Sequence, residues 1–341
     1  MKKAFFYEEL EDKKVRCNTC PRRCVVRDSE TGFCGVRKNL RGKLNLLTYG
    51  LPVTTSLDPV EKKPFYHFAP GTNVYSIATM GCNLRCKFCQ NYPISYGWSK
   101  IEGNNVSPEQ IVKNALDTGS QGIAYTYTEP TVFLEYCLDT AEKTDEQTYN
   151  LFVSNGYMTK EVAEKIGEKI DGINVDLKGG KNLYRDICEV YDESPIYDAL
   201  KVLKREGVFI EITMLLIPDF NDSDKEITER VEWVKQNLGK DTPLHFSRFT
   251  PRHKMRNIPP TPVETLERAI DIADQKGMEY VYCGNIPGHQ REHTYCPDCG
   301  KNVIKRNGMS VVERNLNSYG GCDNCGYEIN IGGKKYIDME S

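Results

Sequence analysis

Short apolar segments alternate with amphipathic segments through the central part of the chain. From about residue 74, runs of apolar, β-branched and aromatic residues are followed by stretches that carry helix-start signals. Each run is continuous enough to be a strand buried on both faces, as in a parallel sheet. Seven strands are predicted, over residues 74–79, 122–128, 151–153, 173–176, 208–216, 244–249 and 280–283. The pattern therefore predicts an α/β core of repeating βα units.

The boundaries of several helices between these strands are also marked. Ser107 and Thr261 each precede a proline and stand three residues before a Gln or Glu, so both are predicted to cap a helix. Glycines fall where three helices should end: Gly119, Gly207 and Gly277. The units predict a partial (β/α)6-type barrel, whose chemistry would lie on loops after the carboxyl ends of the strands.

The flanks of the chain do not follow this rhythm, and each flank carries its own cysteines. Four segments are predicted: a metal-binding N-terminal domain at 1–45, a linker at 46–73, the barrel at 74–287 and a C-terminal domain resembling a zinc ribbon at 288–341. The flanking domains are predicted to be small appendages folded around metal.

Composition narrows the class of protein. The 341 residues are 39% hydrophobic, enough for a sizeable core, and 45 basic against 48 acidic residues give a net charge of −3. The absence of a basic run argues against nucleic acid as a partner, and no apolar run is long enough to span a bilayer. Of 14 cysteines, eleven fall into three groups with metal-ligand spacing, which favours metal sites over disulfides. Metal-binding cysteines in turn favour a reducing compartment, so a cytoplasmic location is expected.

The central cysteine group follows the first predicted strand. Cys82, Cys86 and Cys89 form a C-x3-C-x2-C pattern, which offers three thiolates to a cluster with four irons and leaves one iron open. A zinc site completed by a distant fourth ligand is the alternative, although zinc knuckles usually pair two C-x2-4-C turns.

This spacing, with Phe88 before the last cysteine, resembles the signature of the radical S-adenosylmethionine (SAM) superfamily. The resemblance implies a [4Fe–4S] cluster whose open iron is chelated by the amino and carboxylate groups of SAM. It also implies reductive cleavage of SAM to a 5′-deoxyadenosyl radical that abstracts a hydrogen atom. No side chain is then required as a general base, because the cofactor carries the chemistry.

The resemblance extends to residues that follow the next strands. Glu129 stands where the superfamily has Gly-Gly-Glu and would hold the SAM amino group, although Tyr127 and Thr128 replace the glycines. Ser154 and Asn155 resemble the Thr-Asn-Gly of pyruvate formate-lyase activating enzymes, near the ribose and methionyl portion of SAM. Glu129 could instead simply cap the next helix.

Further candidates follow the fourth and sixth strands. Asp176 and Lys178 resemble the Asp-x-Lys of the same enzymes, where the lysine neutralises the SAM carboxylate; a surface ion pair is the alternative. Arg248 is a candidate contact for a SAM carboxylate or an anionic substrate group. His245 lies on the opposite strand face and is interpreted as structural.

Taken together, the motifs resemble the radical SAM enzyme of the AmmeMemoRadiSam system, a relative of glycyl-radical activating enzymes. The matching stretches are CNTCPRRC and GFCGVR within 17–37, MGCNLRCKFCQN at 80–91, AYTYTEP at 124–130 and VYCGNIPG at 281–288. The resemblance implies Memo-like and AMMECR-type partners and a ferredoxin- or flavodoxin-type electron donor. The expected substrate is a residue in a partner protein; a small molecule, an RNA, or a scaffold without turnover are the alternatives.

The two outer cysteine groups have different spacing. Two C-x2-C-G turns at the C-terminal end predict a zinc site with four thiolates: Cys296, Cys299, Cys322 and Cys325. The N-terminal C-x2-C-x3-C-x9-C pattern suits either zinc or an auxiliary four-iron cluster, and the sequence leaves both open: Cys17, Cys20, Cys24 and Cys34.

Overall fold

Two small antiparallel sheets form the N-terminal region of the computed structural model, which describes residues 1–337. The strands of this region are β1 (Lys2–Lys3), β2 (Tyr7–Glu9), β3 (Val15–Cys17), β4 (Val25–Val26), β5 (Arg37–Leu40) and β6 (Lys43–Leu46). One sheet has the order β1-β6-β5 and the other β2-β3-β4. The strands are short, so little of this region is held by its own apolar contacts, which form a small cluster around Val15 and Leu44.

An eight-stranded sheet forms the centre of the molecule. Its strands are β7 (Thr54–Pro59), β8 (Asn73–Ala78), β9 (Gly122–Tyr125), β10 (Tyr149–Ser154), β11 (Gly172–Asp176), β12 (Phe209–Leu216), β13 (Leu244–Arg248) and β14 (Val281–Gly284). They lie in the order β14-β13-β12-β11-β10-β9-β8-β7, and β8 to β14 are all parallel. The seven predicted strands and the predicted partial α/β barrel are confirmed.

Helices connect each parallel strand to the next. They are α1 (Tyr92–Ser95), α2 (Pro108–Asp117), α3 (Leu134–Ala141), α4 (Lys160–Gly167), α5 (Lys181–Cys188), α6 (Ser194–Arg205), α7 (Asp224–Asn237) and α8 (Val263–Gln275). The predicted cap Ser107 accepts a hydrogen bond from the Gln110 amide at 3.2 Å. The predicted cap Thr261 is wrong: Pro262 holds that position, because the Thr261 hydroxyl is buried and donates to the Leu216 carbonyl.

The segment predicted as a linker, residues 46–73, contributes to the barrel. Strand β7 lies antiparallel to β8 at the edge of the sheet, from Thr54 opposite Ala78 to Pro59 opposite Asn73. The next residues turn under the sheet, where the Glu211 carboxylate accepts hydrogen bonds from the amides of Tyr66 and His67 at 3.0 and 2.8 Å. We call residues 65–69 the floor segment, since they cover the amino ends of the central strands.

The C-terminal region packs against this floor segment. It contains a three-stranded antiparallel sheet of β15 (Thr294–Tyr295), β16 (Asn302–Asn307) and β17 (Ser310–Arg314). The buried Arg306 donates to the Tyr66 carbonyl at 2.6 Å, and the Gly332 amide donates to the His67 carbonyl at 2.9 Å. The C-terminal region therefore closes the end of the barrel opposite the central cysteines. Residues 338–341 of the predicted domain 288–341 lie outside the described residues.

No helix within residues 1–337 combines the length and the apolar character needed to cross a membrane.

Candidate active site

The central cysteines lie on a loop at the carboxyl end of β8, the first parallel strand. Cys86 is buried, whereas Cys82 and Cys89 are partly exposed. The loop begins at Gly81, whose φ of +114° is in the region that favours glycine; a Cβ there would stand 2.8 Å from the methyl groups of Val36. Close packing against the N-terminal region therefore fixes where the loop starts.

Glu129 follows β9 and links that strand to the next. Its carboxylate accepts hydrogen bonds from the Thr131 amide at 3.0 Å, the Ser154 hydroxyl at 2.8 Å and the Asn155 amide at 2.8 Å. The bond from Thr131 is a helix-cap interaction, so capping and bridging occur together. Burial raises the pKa of Glu129, while these donors act in the opposite direction. The carboxylate also lies close enough to Cys82 to raise the pKa of its thiol, in addition to the effect of burial.

Tyr127 stands where the sequence departs from the Gly-Gly-Glu pattern, yet its backbone takes a conformation that favours glycine. Its φ is +61°. The side chain is anchored by a hydrogen bond to Asp58 on β7, and its carbonyl accepts from the Asn91 side chain at 2.8 Å. Tyr127 therefore adopts a backbone conformation that favours glycine, and tertiary contacts hold the resulting strain in place.

Lys178 and Asp176 lie beside Cys86 at the end of β11. The Lys178 ammonium donates to the Asp176 carboxylate at 2.7 Å and lies 5.8 Å from the centre of the Phe88 ring. Burial of Lys178 alone would lower its pKa, but the neighbouring Asp176 carboxylate and the Cys86 sulfur raise it well above its ordinary value. The lysine is thus held charged next to the cysteine loop, in a buried setting that an ordinary surface ion pair does not have.

The structure does not bring every predicted residue to this place. Arg248 lies at the end of β13 and donates to the Thr261 carbonyl at 2.8 Å; within the described residues it forms no hydrogen bond with the cysteine loop. His245 is buried near the floor and lies 2.7 Å from the Glu211 carboxylate, in agreement with its structural interpretation.

Three residues of the site were not predicted. Asn83, between two of the cysteines, is fully buried and accepts a hydrogen bond from the Asn155 side chain at 2.9 Å. Ser95 lies 3.8 Å from the Cys89 sulfur. Cys188 is buried against Cys86 and raises the pKa of the Cys86 thiol. Only Asn83 carried a signal, its place inside the cysteine motif.

Comparison with known proteins adds the family. Residues 76–231 match the model of the radical SAM superfamily. This span holds the three cysteines, Glu129, Asn155 and Lys178, so the matched region is the one that builds the site. The chain contains a domain of the radical SAM superfamily. It is an enzyme of that class, whose members use a [4Fe–4S] cluster and SAM.

Relatives of this radical SAM protein span most of its length. The uncharacterized protein MJ0808 of Methanocaldococcus jannaschii is 42% identical over 334 residues, 97% of this chain and 99% of that protein. MJ1632 of the same organism, whose name proposes a glycyl-radical enzyme activating enzyme, is 27% identical over 210 residues, 58% of this chain and 76% of MJ1632. The structure of Streptococcus suis SuiB bound to SAM aligns with a TM-score of 0.50 and 15% identity, over 66% of this chain and 55% of SuiB, and supports the fold.

The donor set fits the cofactors of the superfamily. Three thiols on one loop, without a fourth cysteine ligand in the motif, suit a cluster with one open iron. A carboxylate and an ammonium group, from Glu129 and Lys178, lie beside these thiols and match the amino and carboxylate groups of an amino acid.

The C-terminal cysteines form a different kind of site. The potential ligand atoms of all four lie within 4.8 Å of one another, and within the described residues no other group of three or more potential ligand residues meets that distance. The sulfurs of Cys296 and Cys325 are 3.5 Å apart, and those of Cys299 and Cys322 are 3.7 Å apart. These separations fit a tetrahedron of thiolates around zinc, whose edge is about 3.8 Å for a metal–sulfur bond of about 2.3 Å.

Proposed function

We propose that this chain binds a [4Fe–4S] cluster through Cys82, Cys86 and Cys89 and acts on a residue of a partner protein in the manner of a glycyl-radical activating enzyme. When bound and reduced by one electron, the cluster would supply cleavage of SAM to methionine and a 5′-deoxyadenosyl radical, which takes a hydrogen atom from the substrate. The supporting observation is that the ends of four consecutive parallel strands bring the cysteine loop, Glu129, Asn155 and Lys178 together.

The protein's own residues would bind and orient SAM. We assign Glu129 to the SAM amino group and Lys178 to the SAM carboxylate, because these two opposite charges flank the cysteine loop. Ser154 and Asn155 would contact the methionyl and ribose portion, and Phe88 would cover one side of the site. Glu129 is 2% exposed and Lys178 is 9% exposed, so both charges act where water screens them weakly.

A protein substrate is supported by the relative MJ1632, whose name proposes an activating enzyme, and by the resemblance to the AmmeMemoRadiSam system. That resemblance gives a Memo-like protein and an AMMECR-type protein as the partners to test, and a ferredoxin- or flavodoxin-type protein as the electron donor. We propose that the chain acts in the cytoplasm.

The decisive experiment is an anaerobic assay for 5′-deoxyadenosine. Chain reconstituted with iron and sulfide, reduced chemically and given SAM should produce 5′-deoxyadenosine, and Cys86→Ala should abolish production. Cys137→Ala is the matched control, because Cys137 is a buried cysteine on α3 outside the site. If well-loaded chain leaves SAM intact with and without the two candidate partners, the proposal is wrong and a scaffold role is favoured.

The substrate is then tested by isotope transfer. Partner protein deuterated at glycine should pass deuterium into 5′-deoxyadenosine, since the radical takes the substrate hydrogen. Unlabelled 5′-deoxyadenosine from that mixture would exclude glycine in the tested partner as the source of the hydrogen.

A further inference from the structure

The four N-terminal cysteines surround one pocket next to the cysteine loop of the active site. Cys17 and Cys34 are buried, and Cys20 and Cys24 are partly exposed. All four line the same pocket, which is partly open to solvent. Asn83 of the active-site loop lines the same pocket. A group bound there would therefore lie against the active site.

The distances between the sulfurs distinguish zinc from a four-iron cluster, the two alternatives that the sequence leaves open for the N-terminal cysteines. A zinc ion draws four thiolates to about 3.8 Å from one another, as in the C-terminal group, where two pairs are 3.5 and 3.7 Å apart. Within the described residues, no three sulfurs of the N-terminal group lie within 4.8 Å of one another, and the same is true of the three active-site cysteines. A four-iron cluster places metal and sulfide between its thiolates, so its ligands stand further apart.

The two cysteine regions are in direct contact. The Cβ position of Gly81 lies 3.3 Å from the Cys34 carbonyl. Asn83 donates to the Tyr157 carbonyl at 2.7 Å and accepts from Asn155, whose amide nitrogen is 3.8 Å from the Cys82 sulfur. A buried chain of hydrogen bonds and covalent bonds therefore connects the N-terminal pocket to the first ligand of the active-site group.

We propose that Cys17, Cys20, Cys24 and Cys34 bind a second [4Fe–4S] cluster, which passes electrons to the active-site cluster. An external low-potential one-electron donor protein reduces the second cluster by one electron. The same electron then moves to the active-site cluster and returns the second cluster to its oxidised state, with no transfer of atoms. The proposal rests on the proposed function only for the destination of the electron.

Metal content tests the cluster independently of SAM cleavage. The triple variant Cys82→Ala/Cys86→Ala/Cys89→Ala, purified and reconstituted without oxygen, should hold about four iron and about four sulfide per chain, with the electron paramagnetic resonance signal of a reduced four-iron cluster. It should also hold about one zinc in the C-terminal group. About two zinc and no iron would overturn the proposal.

A second variant tests the same point if the triple variant does not fold. Cys20→Ser/Cys24→Ser in an otherwise native chain should lower the iron content from about eight to about four per chain, because the active-site group is intact. Iron that stays at about four in both this variant and the native chain would show that the N-terminal group holds no cluster. Failure of SAM cleavage in the native chain would count against the proposed function and leave the iron counts unaffected.

Electron transfer is tested by the choice of reductant. Cys20→Ser/Cys24→Ser should lose at least about tenfold of the 5′-deoxyadenosine formed with a ferredoxin or flavodoxin, a factor equivalent to about 1.4 kcal/mol in the barrier, and should keep most of that formed with dithionite. Cys137→Ser/Cys283→Ser, two buried cysteines outside the three groups, is the matched control. Equal rates for variant and native chain with the protein donor would overturn the relay.

Discussion

The Glu129 carboxylate accepts a hydrogen bond from the main-chain amide of Asn155, with 2.8 Å between oxygen and nitrogen. This bond joins the ends of β9 and β10, and the Asn155 side chain continues the connection to the Cys82 sulfur. A negative charge is thus held beside the cysteine loop by the main chain of the neighbouring strand.

Glu129→Gln should weaken SAM binding with little change in iron content. The amide keeps the shape of the side chain but removes the charge that would attract the SAM amino group, and a hydrogen bond to a charged group contributes about 1.5–3 kcal/mol. We expect the dissociation constant for SAM to rise at least about tenfold, measured by equilibrium dialysis under anaerobic conditions. Glu142→Gln, on an exposed part of the chain, is the control. Unchanged affinity in Glu129→Gln would remove Glu129 from the SAM site.

Lys178→Met should raise the KM for SAM more than it lowers kcat. The methionine fills the space of the lysine stem but leaves Asp176 without its ammonium partner and the SAM carboxylate without a counter-charge. The measurement is the rate of 5′-deoxyadenosine formation over a range of SAM concentrations. Lys181→Met, an exposed lysine three residues further along the chain, should behave as the native chain does. Equal KM values for the two variants would contradict the assignment.

Arg37 and Glu135 form a buried ion pair that supports the N-terminal region. The guanidinium donates to both carboxylate oxygens at 2.9 and 2.6 Å, and the two side chains are 2% and 0% exposed. Arg37→Met leaves a buried carboxylate unpaired and should cost about 3–5 kcal/mol in the free energy of unfolding. The double variant Arg37→Met/Glu135→Leu should recover most of that loss. Chemical denaturation of the native chain and the two variants tests this, and an equal loss in the single and double variants would contradict it.

His67 should make the fold sensitive to acid. Burial lowers the pKa of His67 to about 4, and one ring nitrogen lies 2.7 Å from the Asn330 carbonyl. The unfolded chain takes up this proton near pH 6.5 and the folded chain only near pH 4, so stability is lost as pH falls between these values, by up to about 3 kcal/mol.

The test compares His67→Gln with the native chain in urea at several pH values from 7.5 downward. The variant should lose less stability on acidification than the native chain does. His289→Gln, in the C-terminal region, is the control and should follow the native chain. Parallel pH dependence in all three would show that His67 does not carry the effect.

Loss of the zinc that the four C-terminal cysteines are predicted to bind should destabilise the floor of the barrel without abolishing SAM cleavage. Cys299→Ser removes one thiolate of the predicted zinc site. The C-terminal region, which packs on the floor segment, then lacks the metal that would hold its two cysteine turns together. A loss of about 3 kcal/mol would lower the melting temperature by roughly 4 °C in a chain of this size. Zinc analysis, thermal melts and the 5′-deoxyadenosine assay at low temperature give the result. Loss of activity with an unchanged melting temperature would contradict the prediction.

The seven parallel strands could be predicted because burial on both faces leaves a mostly apolar run, as in β12 from Phe209 to Leu216, where only Glu211 and Thr213 are polar. The edge strand β7 could not, since Thr54–Pro59 is mostly polar and only Asp58 within it is buried. Sequence also placed Glu129, Asn155 and Lys178 after successive strands, because a regular βα order fixes which loops share an edge.

Local sequence patterns did not predict contacts between segments that are distant in the chain. Thr261 carries a good capping signal, but its hydroxyl is used by a tertiary contact with Leu216. No sequence pattern marks Cys188 as part of the site, because only the fold brings it against Cys86. Such positions depend on how helices pack on the sheet, which spacing along the chain does not specify.

The floor of the barrel joins residues made at very different times. His67 and Asn330 are 263 positions apart, and at ~5–20 residues per second a ribosome needs roughly 13–53 s to travel between them. The cysteine loop and the strand-end residues of the candidate active site are synthesised early in that interval. The aromatic floor segment stays without the C-terminal region that covers it until the interval ends. A nascent chain therefore contains all three cysteines of the central loop well before it can cover the floor segment.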